Sequence, residues 1–102
     1  MSASRSARPA LSVVICTFHR ERLLQKALDS LAAQAPPADF GVEIVVVDNS
    51  DQSSARSVVE AFGATSPFPV RFVEAHPPNI SIARNAGVAA CLGDAIAFLD
   101  DD

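Results

Sequence analysis

The chain has 102 residues, enough for one small domain and too few for two. A net charge of −4, with no Tyr or Trp, argues against a broad surface for nucleic acid or anionic membrane. No run approaches the ~20 apolar residues of a membrane span, and a hydrophobic share of 49% suits a packed core.

Residues 1–10, rich in Ser, Ala and Arg, read as a disordered leader without the apolar core of a signal peptide. Leu11 to Cys16 is β-branched and almost continuously apolar, the pattern of a strand buried on both faces. Thr17 to Arg20 forms the turn after it. A helix is predicted from Glu21 to Ala35, with Leu24, Leu28 and Leu31 at helical spacing and Pro36-Pro37 as its stop. Val42 to Val47 is the second strand, followed by the polar turn Asp48-Asn49-Ser50-Asp51. The next helix runs from Ser53 to Phe62, opened by a Ser or Asp cap and closed by Gly63. Val70 to Glu74 is a shorter strand near a sheet edge. After a His-Pro-Pro-Asn loop, a helix from Ser81 to Leu92 ends at Gly93, and Ala95 to Leu99 is the last strand.

The order β-α-β-α-β-α-β predicts a three-layer α/β/α fold with a mainly parallel, Rossmann-like sheet and right-handed crossovers. A domain that finishes on such a strand reads as the first half of a larger one. Cys16 and Cys91 lack metal-ligand spacing and read as buried free thiols, in keeping with the cytosol.

Every strand of a parallel sheet delivers its carboxyl end to the same rim, where open α/β sheets bind ligands. The residues delivered are Thr17 to Arg20, Asp48 to Asp51, Glu74 to Asn79 and Asp100 to Asp102. The last set is an apolar strand running straight into three acids. Strand alternation puts Asp100 and Asp102 on one face. Clustered carboxylates there either bind a hard divalent cation or must be solvated. Such a rim suits a nucleotide diphosphate, with one acid accepting from a base or ribose and a metal bridging the diphosphate. Arg84, read as lying in the first turn of its helix, adds positive charge near a helix amino end. Each residue also has a plainer reading. Asp48 suits a turn and helix entry, Thr17 a strand end, and Arg84 an exposed helix position. GxGxxG, GxxxxGK[ST] and GxSxG motifs are missing.

Four segments, in order, resemble family 2 glycosyltransferases of the GT-A fold. They are Ser12 to Arg20, Glu43 to Ser50, Ile82 to Gly87 (Ile-Ala-Arg-Asn-Ala-Gly) and Ala97 to Asp102 (Ala-Phe-Leu-Asp-Asp-Asp). The resemblance covers Leu11 to the end and implies the amino-terminal, nucleotide-sugar-binding half of such a domain. It implies that Thr17 contacts the nucleotide, that Asp48 hydrogen-bonds the base, and that Arg84 approaches the base and diphosphate. Phe18 stands where many relatives have an aromatic residue, and Arg20 where many have Arg or Asn. Asp100 to Asp102 resemble the DXD motif, with Mg²⁺ or Mn²⁺ on Asp102 first and Asp100 as the other metal candidate. Either Asp100 or Asp101 would reach the ribose.

The implied reaction moves a sugar from a nucleotide-diphospho-sugar (UDP-, GDP- or dTDP-linked) to an acceptor hydroxyl, usually with inversion. The acceptor is unidentified: a saccharide, a lipid-linked sugar or a protein. The catalytic base is expected beyond Asp102, so the 102 residues alone are expected to be inactive. A cytoplasmic location is expected, with membrane association through a longer parent as the alternative. The competing readings are a receiver-like, Mg²⁺-binding α/β module and an inactive fragment. Lys26, the only lysine, lies in the first helix, which counts against the receiver-like module.

Overall fold

A computed structural model describes residues 9–34, 40–50 and 54–99. Seven elements follow in the expected order: β1 (Leu11–Thr17), α1 (Glu21–Ala32), β2 (Val42–Asp48), α2 (Arg56–Gly63), β3 (Val70–Glu74), α3 (Ile80–Ala90) and β4 (Ala95–Leu99). The strands form one parallel sheet in the order β3-β2-β1-β4.

The two central strands are the ones whose sequences lack alternation. Val13 to Ile15 and Ile44 to Val47 are all buried, because helices cover both faces of the sheet. On one face Val13, Ile15, Ile44 and Val46 pack with Leu24 and Leu28 of α1 and Val59 and Phe62 of α2. On the other, Val14, Val45 and Val47 pack with Ala83 of α3. Gly87 lets α3 lie close to this second face. A Cβ there would stand 2.7 Å from Val14 Cγ1 and 3.1 Å from Val47 Cγ2. The glycine of the Arg-Asn-Ala-Gly segment is therefore a packing residue.

The edges differ from the centre. β3 is half-buried, and all five residues of β4 are exposed. Pro9 and Ala10, the end of the expected leader, are tied to the sheet. Ala10 N–H donates to the Gly41 carbonyl (2.9 Å) and Asp94 N–H to the Pro9 carbonyl (3.3 Å).

Several boundaries shift for local reasons. β1 and β2 each extend one residue further, since Thr17 pairs with Asp48. α1 ends at Ala32, where the Gln34 N–H turns back to the Leu31 carbonyl (3.0 Å) in a tightened last turn. α2 begins at Arg56 and has no side-chain cap of its own, contrary to the expected Ser or Asp cap. Gly63 ends that helix without adopting a left-handed backbone. α3 stops at Ala90 because the next amide groups are used elsewhere. Leu92 N–H donates to Glu43 Oε2 (2.7 Å) and Gly93 N–H to Ser12 Oγ (2.9 Å).

That junction belongs to a buried polar cluster near the amino ends of the strands. Ser12 Oγ–H donates to Glu43 Oε2 (2.6 Å), and the Arg71 guanidinium meets Glu43 Oε1 at 3.3 Å. Burial pushes the Glu43 carboxyl up. Hydrogen bonds from Ser12 and Leu92, together with the Arg71 charge, outweigh that and hold it below its ordinary value. Gly93 has no room for a side chain, since a Cβ would stand 2.7 Å from Ser12 N. Cys16 and Cys91 form no disulfide and are half-buried, where full burial was expected. Burial pushes the Cys91 thiol up.

Candidate functional site

Register aligns the carboxyl ends of three strands. Thr17, Asp48 and Glu74 form one row across β1, β2 and β3. β4 pairs up to Leu99, level with Ile15. Asp100, Asp101 and Asp102 follow directly in the sequence but lie outside the described residues, as does Asp51.

Thr17 is buried, and its hydroxyl has no hydrogen-bond partner among the described residues. A buried polar atom left unpaired is uncommon and costs roughly 1–3 kcal/mol, which marks the position as something other than plain core. Its carbonyl accepts from Asn49 N–H at 2.9 Å, so the backbone here is fixed. Phe18 follows, half-exposed, with its ring edge-on to His19 at 4.7 Å. His19 has a left-handed φ of 53°, a conformation that His tolerates better than most residues. Arg20 is exposed in the position before α1 and accepts Leu24 N–H at its carbonyl (2.9 Å).

Asp48 is fully buried. Its Oδ1 accepts from Ser50 N–H (2.8 Å) and its Oδ2 from Ala55 N–H (2.9 Å). The strand-end acid therefore binds the turn after β2 and the entry to α2. This explains why α2 lacks a local cap: its donor is satisfied from a residue seven positions back. Each carboxylate oxygen keeps a second lone pair for a further donor.

Arg84 is the fifth residue of α3, in the second turn and not the first. The amino end of that helix is already occupied. Asn79 Oδ1 accepts from Ser81 N–H (2.8 Å) and Ile82 N–H (3.3 Å), so these donors are not available to an anion. Arg84 carries the positive charge of this helix. It is exposed, and its Cζ lies 5.4 Å from the centre of the Phe98 ring. Thr17 and Asp48 are thus brought together on the α1/α2 side, and Arg84 stands on the α3 side near the end of β4.

Sequence reasoning missed Asn49. Its Nδ2 donates to the carbonyls of Ala75 (2.8 Å) and Pro77 (3.3 Å), and its Oδ1 accepts Asn79 N–H (2.8 Å). One side chain therefore joins the end of β2 to the loop that starts α3, and so sets where Arg84 is carried. An Asn just before a helical pattern was a readable cap signal for Asn79. Nothing local signals the partners of Asn49, which are 26 to 30 residues away.

Among the described residues, no group of three or more His, Cys, Asp or Glu side chains could hold a metal ion. No described helix is long and apolar enough to cross a membrane. An apolar cleft of about 290 Å³, lined by Leu11, Leu31, Phe40, Val42 and Phe68 among others, opens at the opposite end of the sheet. It has no titratable lining and does not belong to the rim.

An open parallel sheet with buried carboxylate, hydroxyl and amide groups at its carboxyl rim defines an α/β ligand-binding domain of the Rossmann-like kind. The family model for glycosyl transferase family 2 matches residues 12–102, and the chain belongs to that family. It is 39% identical over 92 residues to the succinoglycan biosynthesis protein ExoM of Rhizobium meliloti, covering 90% of this chain and 29% of that protein. It is 36% identical over 101 residues to validoxylamine A glucosyltransferase of Streptomyces hygroscopicus subsp. limoneus, covering 98% of this chain and 22% of that enzyme.

Among solved structures, the mannosyltransferase PcManGT of Pyrobaculum calidifontis, in complex with GDP-Man and Mn²⁺, superposes with a TM-score of 0.80 at 27% identity. The match covers 93% of this chain and 28% of that one. TarS of S. aureus gives a TM-score of 0.68 at 27% identity, over 90% of this chain and 16% of that one. The fold is GT-A, and the chain spans less than a third of the length of these relatives.

Proposed function

We propose that this protein is a metal-dependent glycosyltransferase that moves a sugar from a nucleotide-diphospho-sugar to an acceptor hydroxyl with inversion. This chain, as the amino-terminal half of a GT-A domain, supplies the donor and metal side. The observation that carries the reading is the 0.80 TM-score, over nearly the whole chain, to a mannosyltransferase bound to GDP-Man and Mn²⁺. The rim is consistent with it. It combines an unpaired hydroxyl, an exposed aromatic ring and an arginine with no carboxylate partner among the described residues.

In this reading Thr17 offers its hydroxyl to the nucleotide, and Phe18 and Arg20 border the base. Asp48 holds the turn after β2 and accepts a base N–H on a remaining lone pair. Arg84 meets the diphosphate. Asp100 or Asp101 accepts from the ribose, and Asp102, with Asp100, ligates the metal. Mg²⁺ or Mn²⁺, once bound, neutralises charge on the departing diphosphate. No residue of this chain is assigned as the base. The family resemblance implies that the base and the acceptor site lie beyond Asp102. A cytoplasmic donor pool fits a nucleotide-sugar, and membrane association would come from a longer parent.

Calorimetry with UDP and GDP in the presence of Mn²⁺ tests the reading. The wild-type chain binds one of them weakly and loses that binding without metal, and Asp102→Ala abolishes the metal dependence. Equal metal-dependent binding by wild type and Asp102→Ala would remove Asp102 from the metal role.

A further inference from the structure

Two arginines in this fold lie over phenylalanine rings, one at each edge of the sheet. Arg56 of α2 stands 4.8 Å from the Phe72 ring of β3, and Arg84 of α3 stands 5.4 Å from the Phe98 ring of β4. Their surroundings differ in one respect. Arg56 also meets Glu74 at 3.3 Å and Glu60 at 4.0 Å, so its charge is neutralised within the protein. Arg84 has no carboxylate partner among the described residues, and the ring face is what holds it.

A carboxylate cancels a guanidinium's charge, whereas a ring face attracts the cation and leaves its charge and its N–H donors to a further partner. Phe98 is suited to that task. It is the penultimate residue of β4 and pairs in register with Val14, which puts its ring on the α3 side of the sheet. Phe98 is 48% exposed, so its ring face is open to the guanidinium.

We propose that Phe98 is a positioning residue, whose ring holds the Arg84 guanidinium at the rim for the diphosphate of the nucleotide-sugar. This rests on the reading of Arg84 given above. Phe98 itself touches no ligand. Its effect passes through Arg84, by restricting a long side chain that otherwise loses rotamer freedom when it binds.

The test is a double-mutant cycle on the full chain, titrated with GDP and UDP in Mn²⁺, on wild type, Arg84→Gln, Phe98→Leu, the double variant and Phe98→Tyr. Arg84→Gln weakens binding about ten-fold or more, as for loss of a charge-assisted hydrogen bond. Phe98→Leu weakens it about two- to five-fold, the size of an exposed cation–π contact. The double variant is no weaker than Arg84→Gln alone, because the ring acts only through the arginine. Phe98→Tyr keeps the ring face and the wild-type affinity.

NMR supplies a readout that does not depend on binding. The Arg84 side-chain protons carry a ring-current shift in wild type and Phe98→Tyr, and lose it in Phe98→Leu. Wild-type Arg84 protons without that shift overturn the proposal, whatever the variants do. Wild-type affinity in Phe98→Leu, with weakened binding in Arg84→Gln, overturns the role of Phe98 and leaves that of Arg84 standing. Unchanged binding in Arg84→Gln overturns the reading of Arg84 and the proposal with it. Additive losses in the double variant, or no nucleotide binding by wild type, also overturn it.

Discussion

The two ends of the sheet handle buried polar groups in opposite ways. At the amino end, Glu43 is nearly inaccessible, and its oxygens meet Ser12, Leu92 and Arg71. Gly93 closes the cluster against Ser12 Oγ. At the carboxyl end Thr17 is as well buried, yet its hydroxyl has no partner among the described residues. Beside it are an exposed Phe18 and a left-handed His19. In the amino-end cluster Arg71 Nη2 makes no hydrogen bond among the described residues but stands 3.3 Å from Glu43 Oε1, so its charge is met. A buried carboxylate with its bonds made adds rigidity, and an orphaned hydroxyl costs stability without return inside the protein. The amino end is thus built as a joint, and in the proposed reading the carboxyl rim is a binding surface. Between the two, Asp48 and Asn49 use their side chains to hold the rim's loops in place.

The largest effect that would sharpen this contrast comes from Glu43→Ala. It strands the Ser12 hydroxyl and the Leu92 N–H in a buried site and leaves Arg71 without its carboxylate. A loss of about 3 kcal/mol is expected, with the Arg71 share reduced because that side chain is 40% exposed. Urea denaturation measures it. A loss below about 0.5 kcal/mol, the level of a surface substitution, would mean that the joint does not hold the fold.

A smaller effect follows from the Glu43 charge. Its carboxyl is held below the ordinary value of about 4.5 in the folded chain. The charged form therefore stabilises the fold above that value, and the contribution is lost as pH falls below about 4.5 through the lower folded value. Glu43→Gln lacks this contribution, so its melting temperature falls less steeply than that of wild type over the same acid range. Parallel acid limbs in the two proteins would show that Glu43 is not the titrating group.

The order of elements was legible because β1 and β2 read as buried on both faces and α1 as amphipathic, and each pattern follows directly from its surroundings. Element ends were less legible, since they depend on distant partners. α2 starts late because Asp48 captures the Ala55 N–H, and α3 stops early because Glu43 and Ser12 capture the Leu92 and Gly93 amide groups. The gathering of Thr17 and Asp48 followed from topology alone. Arg84 was foreseen as a cation near the rim, but its place beside the Phe98 ring depends on tertiary packing, which local patterns do not encode. The same holds for Asn49, whose partners lie in another loop.

Thr17→Val tests the central contrast most directly, and it has the smallest expected effect on stability. Val matches the shape of Thr and removes the unpaired hydroxyl. The melting temperature of the variant should equal or slightly exceed that of wild type, while its affinity for UDP or GDP in Mn²⁺ falls about ten-fold. Measured together on the same samples, unchanged stability with lost affinity marks a hydroxyl kept for a ligand. A marked loss of stability with unchanged affinity would show that Thr17 serves the fold, and would contradict the assignment of the rim to the donor nucleotide.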